Sequence, residues 1–194
     1  MSEVVLVRHG ETEWSRAGRH TGSTDVGLTP EGETQARAVR PVLAGRTFAL
    51  VLSSPLARAR RTAELAGFPG AQVDPDLAEW DYGGYEGLTT AQIRAELGHP
   101  WTVFAGGVPA GATPGESLAQ VSARADRVVA RARAALVDGD VLLFSHGHLL
   151  RVLGARWVDA DPQFGAHLAL STATIGRLAT EHDVPVIQEW NRAP

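Results

Sequence analysis

Short apolar runs alternate along the chain with longer stretches whose apolar residues recur every three or four positions, which predicts buried strands separated by amphipathic helices. Residues 4–7, 48–52 and 141–144 read as buried strands of a parallel sheet, because continuous apolar runs are expected where both sheet faces are covered. Thr29-Pro30-Glu31 gives a helix start with cap, N1 proline and early acid, and Ala36, Val39 and Leu43 mark its apolar face. Pro41 is expected to kink or shorten that helix and Gly45 to end it. Ser53-Ser54-Pro55 caps a second helix that stops at Gly67. A helix is expected over about 89–97, and the longest one over 113–137, with Leu118, Val121, Ala125, Val128, Ala132 and Leu136 along one stripe. Residues 174–180 and 184–190 read as a closing pair of strands near an edge.

The stretch 76–114 departs from this alternation. It is rich in Gly, Pro and aromatics, and reads as a lid-like excursion over the sheet edge. Its aromatics, Trp80, Tyr82, Tyr85, Trp101 and Phe104, are expected mainly to form a small core beneath that lid. With no internal repeat, the fold class is α/β: a three-layer α/β/α sandwich around a mostly parallel, Rossmann-like sheet, as one domain over 1–194.

Composition narrows the chemistry. A hydrophobic content of 44% over 194 residues supports a substantial core. The absence of cysteine excludes disulfides, thiolate metal sites and cysteine nucleophiles. A net charge of −4 without a basic run argues against nucleic acid, and no segment resembles a signal peptide or membrane span, so a cytoplasmic location is expected. All 18 basic residues are arginine, which removes Schiff-base and P-loop lysine mechanisms.

The first strand ends in Arg8-His9-Gly10-Glu11-Thr12, where an open α/β sheet presents ligands. From this segment alone an anion site and a plain polar strand end are equally compatible. The strand over 141–144 ends in Ser145-His146-Gly147-His148 and repeats the arrangement. Arg58 falls in the opening turns of the helix after Pro55, where free N–H groups favour an anion. Arg8, His9, Arg58 and His146, with Glu79 from the covering segment, make one coherent site. Arginine forks match phosphoryl oxygens, so phosphate is the better guess over a monocarboxylate.

These residues resemble the motifs of the histidine phosphatase superfamily, in its phosphoglycerate mutase-like branch. Arg8-His9-Gly10-Glu11-Thr12 is similar to the family signature, and Thr21-Gly22, Asp25 and Leu28-Thr29 to its following loop. Ser54-Pro55-Leu56-Ala57-Arg58-Ala59 matches the second arginine motif, Glu79 with Tyr82-Gly83 and Glu86-Gly87 the acid motif, and Ser145-His146-Gly147 the second histidine motif. The resemblance implies that His9 is the nucleophile forming a phosphohistidine, that Arg8, Arg58 and His146 bind the transferring phosphoryl group, and that Glu79 is the proton donor. No metal or other cofactor is implied, since arginines can supply the positive field. Nearby cations are expected to keep His9 neutral.

Within the family, mutases resemble one another in a longer insertion with a lysine and paired arginines. Here that segment is short and lysine-free, Ser15 replaces the family's asparagine, and His148 follows His146-Gly147. The expected activity is therefore metal-independent hydrolysis of small phosphomonoesters, with Ser15, Thr21, Gly22, Gly147 and His148 joining the phosphate site. The partner is a small phosphorylated metabolite, and a homodimer is compatible with the chain. The helix start at 112–117 is the expected further substrate contact, through Glu116 and Ser117. Three other readings stay open: a primer-dependent phosphoglycerate mutase, a non-catalytic phosphoester-binding relative, and a metal site built from His146 and His148 with His9 or His20.

Overall fold

The computed structural model describes residues 2–194. β1 (Val4–Arg8), β2 (Phe48–Ser53), β3 (Gln72–Val73), β4 (Asp140–Ser145), β5 (Ile175–Glu181) and β6 (Val184–Arg192) form one sheet in the order β3-β2-β4-β1-β5-β6. The pairs β2–β3, β2–β4 and β1–β4 are parallel. β5 runs antiparallel to β1, and β6 antiparallel to β5.

Successive strand residues face opposite sides of a sheet, so each central strand feeds two cores. Val4 and Leu6 with Val141 and Leu143 pack against α6 (Leu118–Ala135) and α7 (Gly147–Trp157). Val5 and Val7 with Leu142 and Phe144 meet Val39 and Leu43 of α2 (Pro30–Leu43) and Ala63 of α3 (Ala57–Leu65). This gives the α/β/α layering read from the pattern. The excursion carries α4 (Thr90–Leu97) and α5 (Val103–Gly106), and Trp80, Tyr82, Tyr85, Trp101 and Phe104 are all buried in the first core. No described helix is long and apolar enough to cross a membrane.

Several boundaries differ from expectation, each for a local reason. α6 begins at Leu118 and not near Thr113, because Ser117 and Gln120 form a capping box and Asp81 takes the preceding residues: Gly115 N–H donates to its carboxylate at 3.1 Å and Glu116 N–H to its carbonyl at 2.9 Å. α3 starts at Ala57, where Asp25 Oδ1 accepts the Ala57 N–H at 2.8 Å, while Ser54 Oγ accepts from Leu56 N–H. Pro41 sits in the last turn of α2, which continues to Leu43. β2 is only half-buried over its first four residues, because just the two-residue β3 lies outside it. α7, β3 and the single turn α1 (Glu13–Arg16) were not marked by the pattern.

Candidate active site

Three neighbouring strands end side by side and set out the site. His9 follows β1, His146 follows β4 and caps α7, and Ser54 follows β2. Backbone bonds tie these ends together: His9 N–H donates to Ser145 O and Ser54 N–H to Phe144 O, both at 2.9 Å. The rings of His9 and His146 lie 5.1 Å apart.

His9 is nearly buried, and burial, reinforced by the positive charges of Arg8 and Arg58, pushes its pKa well below the usual imidazole value. The ring is neutral. Its Nδ1 lies 2.7 Å from the Gly10 carbonyl oxygen. A carbonyl can only accept, so Nδ1 carries the proton and Nε2 keeps its lone pair. Gly10 is itself pinned, its N–H donating to Thr62 Oγ1 at 3.1 Å while the Thr62 hydroxyl donates to Arg58 O. A Cβ on Gly10 would lie 2.3 Å from Gly32 O, so no other residue fits this turn.

Arg8 reaches over the start of α7 and donates to Leu170 O, while its buried Nε has no acceptor among the described residues. A buried donor left unpaired costs about 1–3 kcal/mol, so this guanidinium is prepared for an anion. Gly147 makes room for it: a Cβ there would lie 3.3 Å from Arg8 Cζ and Nε. Glu79 faces the same helix end. Its carboxylate accepts N–H bonds from Trp80 and Leu149 at 2.9 Å and from His148 at 3.1 Å.

Arg8, His9, Ser15, Thr21, Glu79, Gly147 and His148 line one cavity of about 250 Å³. Arg58, His146 and Gly22 stand behind it. Arg58 is fully buried and donates to Thr24 O, Thr21 O and Gly22 O at 2.9–3.0 Å, and through Nε to His146 Nδ1 at 3.2 Å. Because Arg58 only donates, His146 Nδ1 is unprotonated, and Nε2–H is left to donate to Ser54 Oγ at 2.7 Å. Burial and Arg58 likewise hold the His146 pKa well down. Arg58 and His146 thus form a charged floor beneath His9. Gly22 closes the loop above that floor, where a Cβ would meet Trp80 O at 2.5 Å.

Two expected contacts fall elsewhere. Glu116 pairs with Arg124 and accepts the Asp81 N–H, and Ser117 caps α6, so neither lines the cavity. His146 and His148 turn to different partners, the latter's Nδ1 lying 2.6 Å from the Tyr82 hydroxyl, and no described group of three or more His, Cys, Asp or Glu is arranged to hold a metal ion. Tyr82, read in the acid motif and among the aromatics of the covering segment, lines the cavity, but sequence reasoning missed Arg19, Thr90, Arg151 and Leu170, and considered His20 only as a metal ligand. Arg151 lies four residues after Gly147, one turn along α7, and recognising that helix would have found it.

The family model described as histidine phosphatase superfamily (branch 1) matches residues 4–193. An acid phosphatase of Mycobacterium tuberculosis is 47% identical over 183 residues, spanning 93% of this chain and 88% of that protein. A sedoheptulose 1,7-bisphosphatase of Saccharomyces cerevisiae is 36% identical, over 79% of this chain and 66% of that one. The solved structure of an open reading frame product from Mycobacterium tuberculosis superposes with a TM-score of 0.93 at 43% identity, covering 99% of this chain and 98% of that one. The chain belongs to the histidine phosphatase superfamily, branch 1.

Proposed function

We propose that this protein is a metal-independent phosphatase that hydrolyses small phosphomonoesters through a phosphohistidine on His9, with Glu79 as the proton donor. The observation that carries the reading is a neutral His9, its Nε2 lone pair free, beside the unpartnered N–H of Arg8. A phosphomonoester brings acceptor oxygens to that N–H and phosphorus to the ring nitrogen.

In the first step the Nε2 lone pair forms the N–P bond, the P–O ester bond breaks, and the leaving oxygen takes the proton of Glu79. Gly10 O steadies the ring by holding its Nδ1–H as charge develops. In the second step Glu79 takes a proton from water, the water oxygen bonds to phosphorus, and the N–P bond breaks to return the Nε2 lone pair. Arg8 supplies donors throughout, and the Arg58–His146 floor supplies a fixed positive field. A cavity of about 250 Å³ is below the usual range for ligand sites and favours small esters. We place the activity in the cytoplasm, to be checked by cell fractionation.

Turnover of simple phosphoesters in excess chelator tests this reading, and no hydrolysis of any of them refutes it. One observation favours a second reading, a phosphoglycerate mutase. The covering segment is short and lacks the lysine of the mutases, yet the cavity gains Arg19 and Arg151 from outside that segment. Interconversion of phosphoglycerates with a bisphosphate primer would establish that reading, and its absence would remove it.

A further inference from the structure

The arginines of this chain are used economically. Eleven of the eighteen have a carboxylate within 4.0 Å among the described residues. Of the remaining seven, Arg8, Arg19 and Arg151 line the candidate active-site cavity, and Arg58 lies directly behind it. Four uncompensated cations therefore gather around a cavity whose lining carries a single carboxylate, Glu79. The cavity's other basic groups are neutral: burial lowers His20 to about 4 and holds His148 well below its ordinary value.

The four cations divide into two sets by where they enter. Arg8 adjoins His9 and crosses the start of α7 at Gly147, and Arg58 lies behind the His9–His146 pair and donates to His146 Nδ1, whereas Arg19 and Arg151 reach the cavity from the loop after α1 and from the second turn of α7. Arg151 comes from α7 and is braced by donating to Gly165 O and Ala166 O, both at 2.8 Å, with Phe104 beneath its guanidinium. Arg19 comes from the loop after α1, is exposed, and makes only a 3.3 Å bond to Gly87 O. One phosphate dianion at His9 is matched by Arg8 and Arg58, which leaves the second set without a counter-charge.

We infer that the substrate carries a second anionic group, a carboxylate or another phosphate a few bonds from the scissile one, which Arg19 and Arg151 hold. This rests on the phosphatase reading and narrows its substrate class. A second anion also fits the rest of the cavity, because Thr90 brings a hydroxyl to its lining and the small volume keeps the two charges close. Both arginines are then specificity residues that act in binding.

Matched esters test the assignment. Glycerol 3-phosphate is compared with 3-phosphoglycerate, which replaces an alcohol by a carboxylate, and 1,3-propanediol monophosphate with its bisphosphate. The wild-type protein should favour the anionic member of at least one pair by tenfold or more in kcat/KM, and the favoured pair shows which anion is read. R19Q and R151Q should each shrink that preference several-fold, mainly through KM. Arg151 also braces a turn, so R19Q decides the matter if R151Q does not fold. Hydrolysis without preference in either pair overturns the inference alone, as does a preference that R19Q leaves at full size. No hydrolysis of any of the four esters overturns the phosphatase reading and this inference with it.

Discussion

Replacing Glu79 with glutamine preserves the side chain's shape while removing the proton it would donate, so the consequences for rate and stability can be separated. Glu79 Oε1 accepts from Trp80 and Leu149 N–H, and Oε2 accepts from His148 N–H. The glutamine oxygen can occupy the Oε1 position and keep two of these bonds, but its amide then meets the His148 N–H donor to donor. An unsatisfied buried donor costs about 1–3 kcal/mol. Stability should therefore fall by about 2 kcal/mol, read by denaturant unfolding. Loss of general acid catalysis should slow alkyl phosphates by about 10²–10⁴-fold, and p-nitrophenyl phosphate much less, because its leaving oxygen needs little protonation. Steady-state kcat/KM for both substrates is the assay. Equal losses would refute the proton-donor role, and an unaltered stability would refute the bonding that positions Glu79.

Three further outcomes follow from the structure. His9, His20, His146 and His148 are all held neutral by burial, with pKa values below the unfolded value near 6.5. The unfolded chain therefore binds protons that the folded chain does not, and stability contributed by the neutral rings is complete above about pH 6.5 and lost as pH falls toward 4. Each ring should contribute a slope of up to about 1.4 kcal/mol per pH unit, visible as a falling urea midpoint from pH 7 to 5, and a flat midpoint would contradict the neutral assignments. G147A should raise KM for all phosphoesters, because its Cβ presses on the Arg8 guanidinium, and unchanged kinetics would dissociate Arg8 from phosphate binding. G10A should leave little folded protein in solubility and circular dichroism measurements, since Gly32 O stands 2.3 Å from the new Cβ and both groups are backbone.

The layers of the fold were legible because the central strands are short, continuous apolar runs ended by Gly10 and Gly147. The site motifs were legible because each sits at such a strand end. What escaped detection did so for physical reasons. α7 follows its strand with no side-chain cap, and Leu149, Leu150, Val152, Leu153 and Ala155 are all buried, so its sequence has only a narrow polar stripe of His148, Arg151 and Arg156 and no start signal. Arg151 was lost with it. β3 and α1 are too short to show a period. The Ser117–Gln120 capping box is present in the sequence, but Thr113-Pro114 and Glu116 imitate an earlier helix start. Charge compensation was legible only for local pairs such as Arg37–Glu33, because the acid partners of most other arginines are distant in sequence, as in Arg177–Glu3 and Arg131–Asp74.

Covalent transfer to His9 is tested most directly by rapid quenching of the protein during turnover of a ³²P-labelled phosphomonoester, followed by mapping of the bound label. The phosphohistidine mechanism predicts an acid-labile, base-stable phosphate on His9, absent from H9A along with turnover. Hydrolysis without such an adduct, label on another residue, or substantial activity remaining in H9A would contradict it.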